Sequence, residues 1–196
     1  ALDYLAQTYA RLAAIMEEEY IFNWLAWDGD NMLASGGILD YGSIRRFAAK
    51  HSKYRYEDVD RFSTCLTEQK YWARMMIQTF AQAVDFIVTK EKKNLKNFEN
   101  APCLKVFDNC FQEERQCVLL TKMGFTDDQI KIIREHHQDK IEAFRKVLNY
   151  FEDIKTVDGE QKVPDGIDHP PVFLIRSIIR ELPLFLLKNF KPHIPQ

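Results

Sequence analysis

Two short polar motifs, Asp30-Asn31-Met32 and Asp40-Tyr41-Gly42, lie ten residues apart, a spacing that suits a chain turning back on itself between them. Apolar pairs, Met32-Leu33 and Ile38-Leu39, stand on either side of four small residues, Ala34-Ser35-Gly36-Gly37. That interval leaves no room for a helical connection. It suits a short β-hairpin whose ends bring Asn31 and Asp40 together. The preceding Trp27-Asp28-Gly29 is turn chemistry, because Asp and Gly close turns through side-chain hydrogen bonds and left-handed backbone.

Most of the rest is periodic at helical spacing. Residues 3–22 read as a helix with Asp3 at its start and Leu5, Tyr9, Leu12, Ile15 and Met16 apolar. Ser43 caps a short helix over Ile44–Lys50, and residues 51–64 are irregular. Thr67 opens a long helix to about Lys93, with Tyr71, Met75, Phe80, Val84, Ile87 and Val88 apolar. Another runs over Cys103–Met123 and stops at Gly124. Thr126 with Gln129 forms a capping box, which opens one helix to about Asp153 through Ile130, Ile133, His137, Ile141, Phe144, Val147, Leu148 and Phe151. A Gly/Pro/Asp-rich loop covers 155–171, and a last apolar helix Val172–Leu187, divided by Pro183. The fold class is therefore mainly α, one domain over 1–196. Residues 1–95 form its motif-bearing part and 96–196 a C-terminal helical extension.

Composition narrows the setting. A net charge of -2 disfavours broad electrostatic binding to nucleic acid or to an anionic membrane. No apolar run approaches the roughly 20 residues that span a bilayer. Cys103, Cys110 and Cys117 are spaced seven apart, on one helical face, so they read as small buried residues rather than a zinc site. Without a disulfide framework the chain fits a reducing, cytoplasmic compartment. It starts without Met, inside an amphipathic helix, as a fragment or trimmed product would.

Transfer of phosphoryl or nucleotidyl groups needs the phosphates positioned and their charge offset. Magnesium takes hard oxygen ligands, commonly one or two carboxylates with phosphate oxygens and waters. Asp40 offers a carboxylate and Asn31 an amide oxygen, so a tight hairpin lets both grip one ion. Asp30 would face elsewhere and could take a proton from an attacking hydroxyl. The same residues also suit a purely structural turn, and spacing leaves both readings open.

At these residues the chain resembles the selenoprotein O family, kinase-like proteins that transfer AMP rather than phosphate. The resemblance rests on Tyr9-Ala10-Arg11-Leu12-Ala13 in the preceding helix, on Asp30-Asn31-Met32 and on Leu39-Asp40-Tyr41-Gly42. Tyr54-Arg55-Tyr56 and Trp72-Ala73-Arg74 extend it loosely. It implies a kinase-like C-terminal, helical lobe with a short β-hairpin at the metal-binding motif. It also implies Asp30 as catalytic base, Asn31 and Asp40 as magnesium ligands, ATP as cofactor, and hydroxyls of protein Ser, Thr or Tyr as acceptors. The Gly-rich loop, phosphate-holding Lys and partner Glu of a nucleotide-binding lobe are not found in this sequence. The chain is expected to be the helical lobe, inactive alone, with the nucleotide lobe or a partner docking on its apolar helices.

Arg45 and Arg46, just beyond the second motif, are candidates for contact with nucleotide phosphate or an acidic substrate. His51 lies close by in sequence. His136-His137 reads as ordinary helical histidine, the Lys90, Lys92, Lys93, Lys96 cluster as complement to a helix C-terminus, and Asp158 and Asp165–Asp168 as turns. Two alternatives to AMP transfer stand: a kinase of the aminoglycoside phosphotransferase type, and a non-catalytic helical interaction module.

Overall fold

The computed structural model describes residues 1–23, 27, 31–33, 35, 37, 39, 44–47, 68–154, 172–174, 183 and 187–188. Expectations for Asp28, Asp30, Asp40, His51, residues 54–56, Thr67 and the 155–171 loop fall outside them. The described chain is mainly α. It contains α1 (Leu2–Glu18), β1 (Ile21–Asn23), β2 (Ile44–Phe47), α2 (Gln69–Thr89), a 3-10 turn (Leu95–Phe98), α3 (Pro102–Lys122), α4 (Asp127–His136), α5 (Gln138–Ile154) and β3 (Val172–Leu174).

The core is a three-helix layer in which α1 packs chiefly on α3 and then on α2. The buried face of α1 differs from the expected one. Ala6, Tyr9, Ala10, Ala13, Ala14 and Met16 are buried, whereas Ile15 is exposed and Leu5 and Leu12 only border the core. The alanine methyl is too small to hold a neighbouring helix away, so α3 can bring its large Phe107 and Phe111, stacked at 6.2 Å, against this face. The same shift occurs in α2. Ala73, Ile77 and Ala81 are buried, while Tyr71, Val84, Ile87 and Val88 are exposed. Two alanines and Ile77 mark the contact, with Met76 and Phe80 packed at its border.

The ends of α3 and α4 follow local chemistry. Pro102 occupies the first turn of α3, where a missing N–H costs nothing. Gly124 ends it at φ +89°, a left-handed conformation open to glycine. Space does not restrict the site, since an added Cβ would meet nothing within 4 Å. Gly124→Ala is therefore expected to cost about 1 kcal/mol through backbone conformation alone, a shift measurable as a lower urea midpoint. Thr126 and Gln129 form the capping box, with the Thr126 N–H donating to Gln129 Oε1 at 2.9 Å.

Three expectations are corrected. The helix from Thr126 to Asp153 is two helices, broken at His137, whose backbone (φ -135°, ψ 37°) leaves the helical region. Ile44–Phe47 is strand β2 rather than helix, and Val172–Leu174 is strand β3 rather than the start of the last helix. Pairing over long sequence distance decides both. β2 is the central strand, antiparallel to β1 through Asn23↔Ile44, Phe22↔Arg45 and Ile21↔Arg46. On its other side Arg45↔Leu174 and Arg46↔Phe173 join it to β3, also antiparallel. β-Branched and aromatic residues suit such pairing once a neighbour is available. Among the described residues beyond β3, Pro183 and Leu187–Lys188 are helical, and Leu187 is exposed.

Candidate functional site

The motif-bearing segment, 24–43, is closed at its base by the pairing of Asn23 with Ile44. Within it, the Leu39 N–H donates to the Asn31 carbonyl at 2.8 Å, and the Leu33 N–H donates to the Gly37 carbonyl at 2.8 Å. The first bond holds Asn31 against the residue that precedes Asp40.

Three side chains moor this segment to the helical core. Tyr9, fully buried on α1, donates its hydroxyl to the Leu33 carbonyl at 3.1 Å. The Tyr9 ring lies 6.2 Å from Trp27 and 6.1 Å from Phe80 on α2, the second contact edge-on. Trp27 and Met32 are themselves buried in the core cluster. The Trp27 indole Nε1 has no hydrogen-bond partner among the described residues. Burial pushes the Tyr9 phenol above its ordinary value, because the anion would lose its hydration. The segment is thus gripped at 27, 32 and 33, on both sides of Asn31.

The base of the segment is fixed from two more directions. Gln69, buried in the first turn of α2, donates from Nε2 to the Ile21 carbonyl at 2.8 Å. Tyr20, between α1 and β1, adopts φ 56°, unusual for a bulky residue. Lys122 covers that turn: its ammonium sits 5.4 Å from the Tyr20 ring, 3.2 Å from Glu19 Oε1, and contacts the Glu18 carbonyl.

Of the sequence candidates, Asn31 is half-buried beside Leu39. Arg45 and Arg46 lie on β2, their backbones paired on both sides. Asp30 and Asp40 lie outside the described residues. Among the described residues, no group of three or more His, Cys, Asp or Glu is placed to hold a metal, and no helix is long and apolar enough to cross a membrane. Cys103 and Cys110 are buried, and burial raises both thiols.

One cluster escaped the sequence reading. At the end of α1, Glu17 and Glu18 are buried, 6% and 7% exposed. Glu18 accepts from Arg115 Nε on α3 and from Arg145 Nη1 on α5, each at 2.9 Å. Glu17 lies 3.3 Å from Arg115 Nη2, and Arg145 Nη2 donates to the Arg115 carbonyl at 3.3 Å. Arg115 also lies over the Phe111 ring. The set bolts α5 to the α1–α3 pair, immediately below the turn that launches β1. A signal was present: Ala6, Ala10, Ala13 and Glu17 follow at steps of four, three and four, so Glu17 continues the core-facing stripe. No family model, no curated protein and no solved structure matches this chain.

Proposed function

We propose that the 24–43 segment is the magnesium and nucleotide loop of a kinase-like helical lobe, and that the complete polypeptide transfers AMP from ATP to protein hydroxyls. The observation that carries this reading is the hydrogen bond from Leu39 N–H to the Asn31 carbonyl. It favours a folded-back hairpin in which Asn31 and Asp40 approach one ion. The donor set suits magnesium, since an amide oxygen and a carboxylate are both hard ligands. When bound, the ion offsets charge on the triphosphate. In this reading the Asp30 carboxylate takes the proton of the attacking Ser, Thr or Tyr hydroxyl. The hydroxyl oxygen bonds to the α-phosphorus, the α–β anhydride breaks, and pyrophosphate leaves. Arg45 and Arg46 are assigned to phosphate or acidic-substrate contact. The buried free thiols Cys103 and Cys110 fit a cytoplasmic setting.

The test is incubation of the full-length polypeptide with magnesium and ATP labelled on the α-phosphate, beside Asp40→Ala. Covalent label that disappears in the variant is the expected result. Label arriving only from γ-labelled ATP replaces AMP transfer with a kinase. Label from neither removes both enzyme readings. The remaining reading, a non-catalytic helical interaction module, is favoured by one separate observation: Val84, Ile87 and Val88 are exposed at the end of α2.

A further inference from the structure

The break between α4 and α5 has no local cause. Residues 127–154 hold no glycine and no proline. Their apolar positions also keep one helical phase through the break. On a straight helix Ile130, Ile141 and Leu148, eleven and then seven residues apart, fall on one line along the surface. By sequence alone this stretch is a single amphipathic helix.

Contacts with distant residues impose the bend. Arg134 on α4 lies against α3, with Nη2 3.7 Å from Glu113 and Nη1 3.6 Å from the Cys117 sulfur. Gln116 of α3 then clasps both sides of the break. Its Oε1 accepts from Arg134 Nε at 3.4 Å and from Gln138 Nε2 at 3.2 Å, and its Nε2 donates to Gln138 Oε1 at 2.8 Å. Two turns on, Arg145 reaches Glu18 and the Arg115 carbonyl. Ile130 and Ile141 share one small core with Leu120, whereas a straight helix would hold them about 16 Å apart. The bend costs regular main-chain bonding. Lys140 and Ile141 both donate to the His137 carbonyl, at 3.1 and 3.2 Å. A straight helix would give Gln138, Asp139 and Lys140 the carbonyls of Arg134, Glu135 and His136.

Every contact that holds the bend is therefore one that a second copy of the chain offers equally well. We propose that this protein forms a dimer by exchanging its C-terminal part. His137 turns helical, residues 127–154 become one helix, and α5 docks on the second copy, its Arg145 on that copy's Glu18 and Arg115. β3 follows α5 in the chain and pairs with the second copy's β2, at the base of the motif-bearing segment. The docking contacts of α5 and β3 are kept, and each hinge gains helical main-chain bonds. The opposing term is the cost of association, so concentration favours the exchanged form. The inference is independent of nucleotide chemistry.

The test compares His137→Ala with His137→Gly by sedimentation. His137 is exposed, so neither change disturbs packing. Alanine favours a helical hinge, glycine opposes it, and a dimer contains two hinges. His137→Ala is therefore expected to dimerise at least tenfold more tightly than His137→Gly. Mixing two damaged chains, Arg145→Met and Glu18→Leu, separates exchange from side-by-side association. Refolded together, they are expected to give a mixed dimer that regains one intact Arg145–Glu18 contact. It should resist urea better than either chain alone, including where one of them does not fold alone. The proposal is overturned if both hinge variants stay monomeric at the highest soluble concentration, or if alanine and glycine dimerise equally. It is equally overturned if the mixture is no more resistant than its components.

Discussion

Glu18→Gln is expected to destabilise the fold by about 3 kcal/mol or more, the loss typical when one partner of a buried ion pair is removed. Glu18 is 7% exposed, and its two oxygens serve Arg115 and Arg145 at 2.9 Å each. Glutamine keeps the shape but removes the charge, leaving both guanidiniums partly uncompensated, with Glu17 near only one of them. The cluster couples α5 to the rest of the chain, where the apolar contribution is small: Leu120, Ile130 and Ile141 are the buried members of that second core. Urea unfolding followed separately by circular dichroism and by a probe on α5 should show the α5 probe moving first in the variant. Replacing all four charged residues with apolar ones of similar size should cost much less than the single change, because no charge is then stranded.

Tyr9→Ala is expected to cost about 4 kcal/mol, as large-to-small changes at fully buried aromatic positions do. The side chain removed touches Trp27 and Phe80 and holds the Leu33 carbonyl. It should also loosen the motif segment, visible as a red-shifted tryptophan emission at denaturant concentrations where the helices persist. Tyr9→Phe keeps the packing and should lose about 1 kcal/mol with the hydrogen bond. Alkaline titration separates the two roles. Burial raises the phenol above its ordinary 10.0, so the folded state favours the neutral form. That contribution is complete below pH 10.0 and falls as pH rises beyond it. In Tyr9→Phe this part of the alkaline loss should be missing.

The elements legible in the sequence were those set by local chemistry. Pro102, Gly124 and the Thr126–Gln129 box mark helix ends because each acts on backbone groups within one turn. Helix existence was legible, but helix orientation was not. The faces of α1 and α2 turn on alanines, which contrast weakly with polar neighbours, while the larger Ile15 and Tyr71 drew the reading toward the wrong side. Strands β2 and β3 were missed because pairing between residues 44–47 and 172–174 depends on partners over a hundred positions away. His137 breaks a helix without glycine or proline, so no residue type announced it. The mooring of the motif segment was not legible, because nothing in the spacing links Tyr9 to Leu33.

In the proposed function Asn31 and Asp40 share one divalent ion. The most direct measurement is manganese titration of this chain with ATP present, read by paramagnetic broadening of assigned Met32, Leu33 and Leu39 methyl signals. The account predicts saturable broadening of these three, ahead of any methyl on α4 or α5, and its loss in both Asp40→Ala and Asn31→Ala. Uniform, non-saturating broadening that neither substitution changes would contradict it, and the 24–43 segment would then be a structural turn.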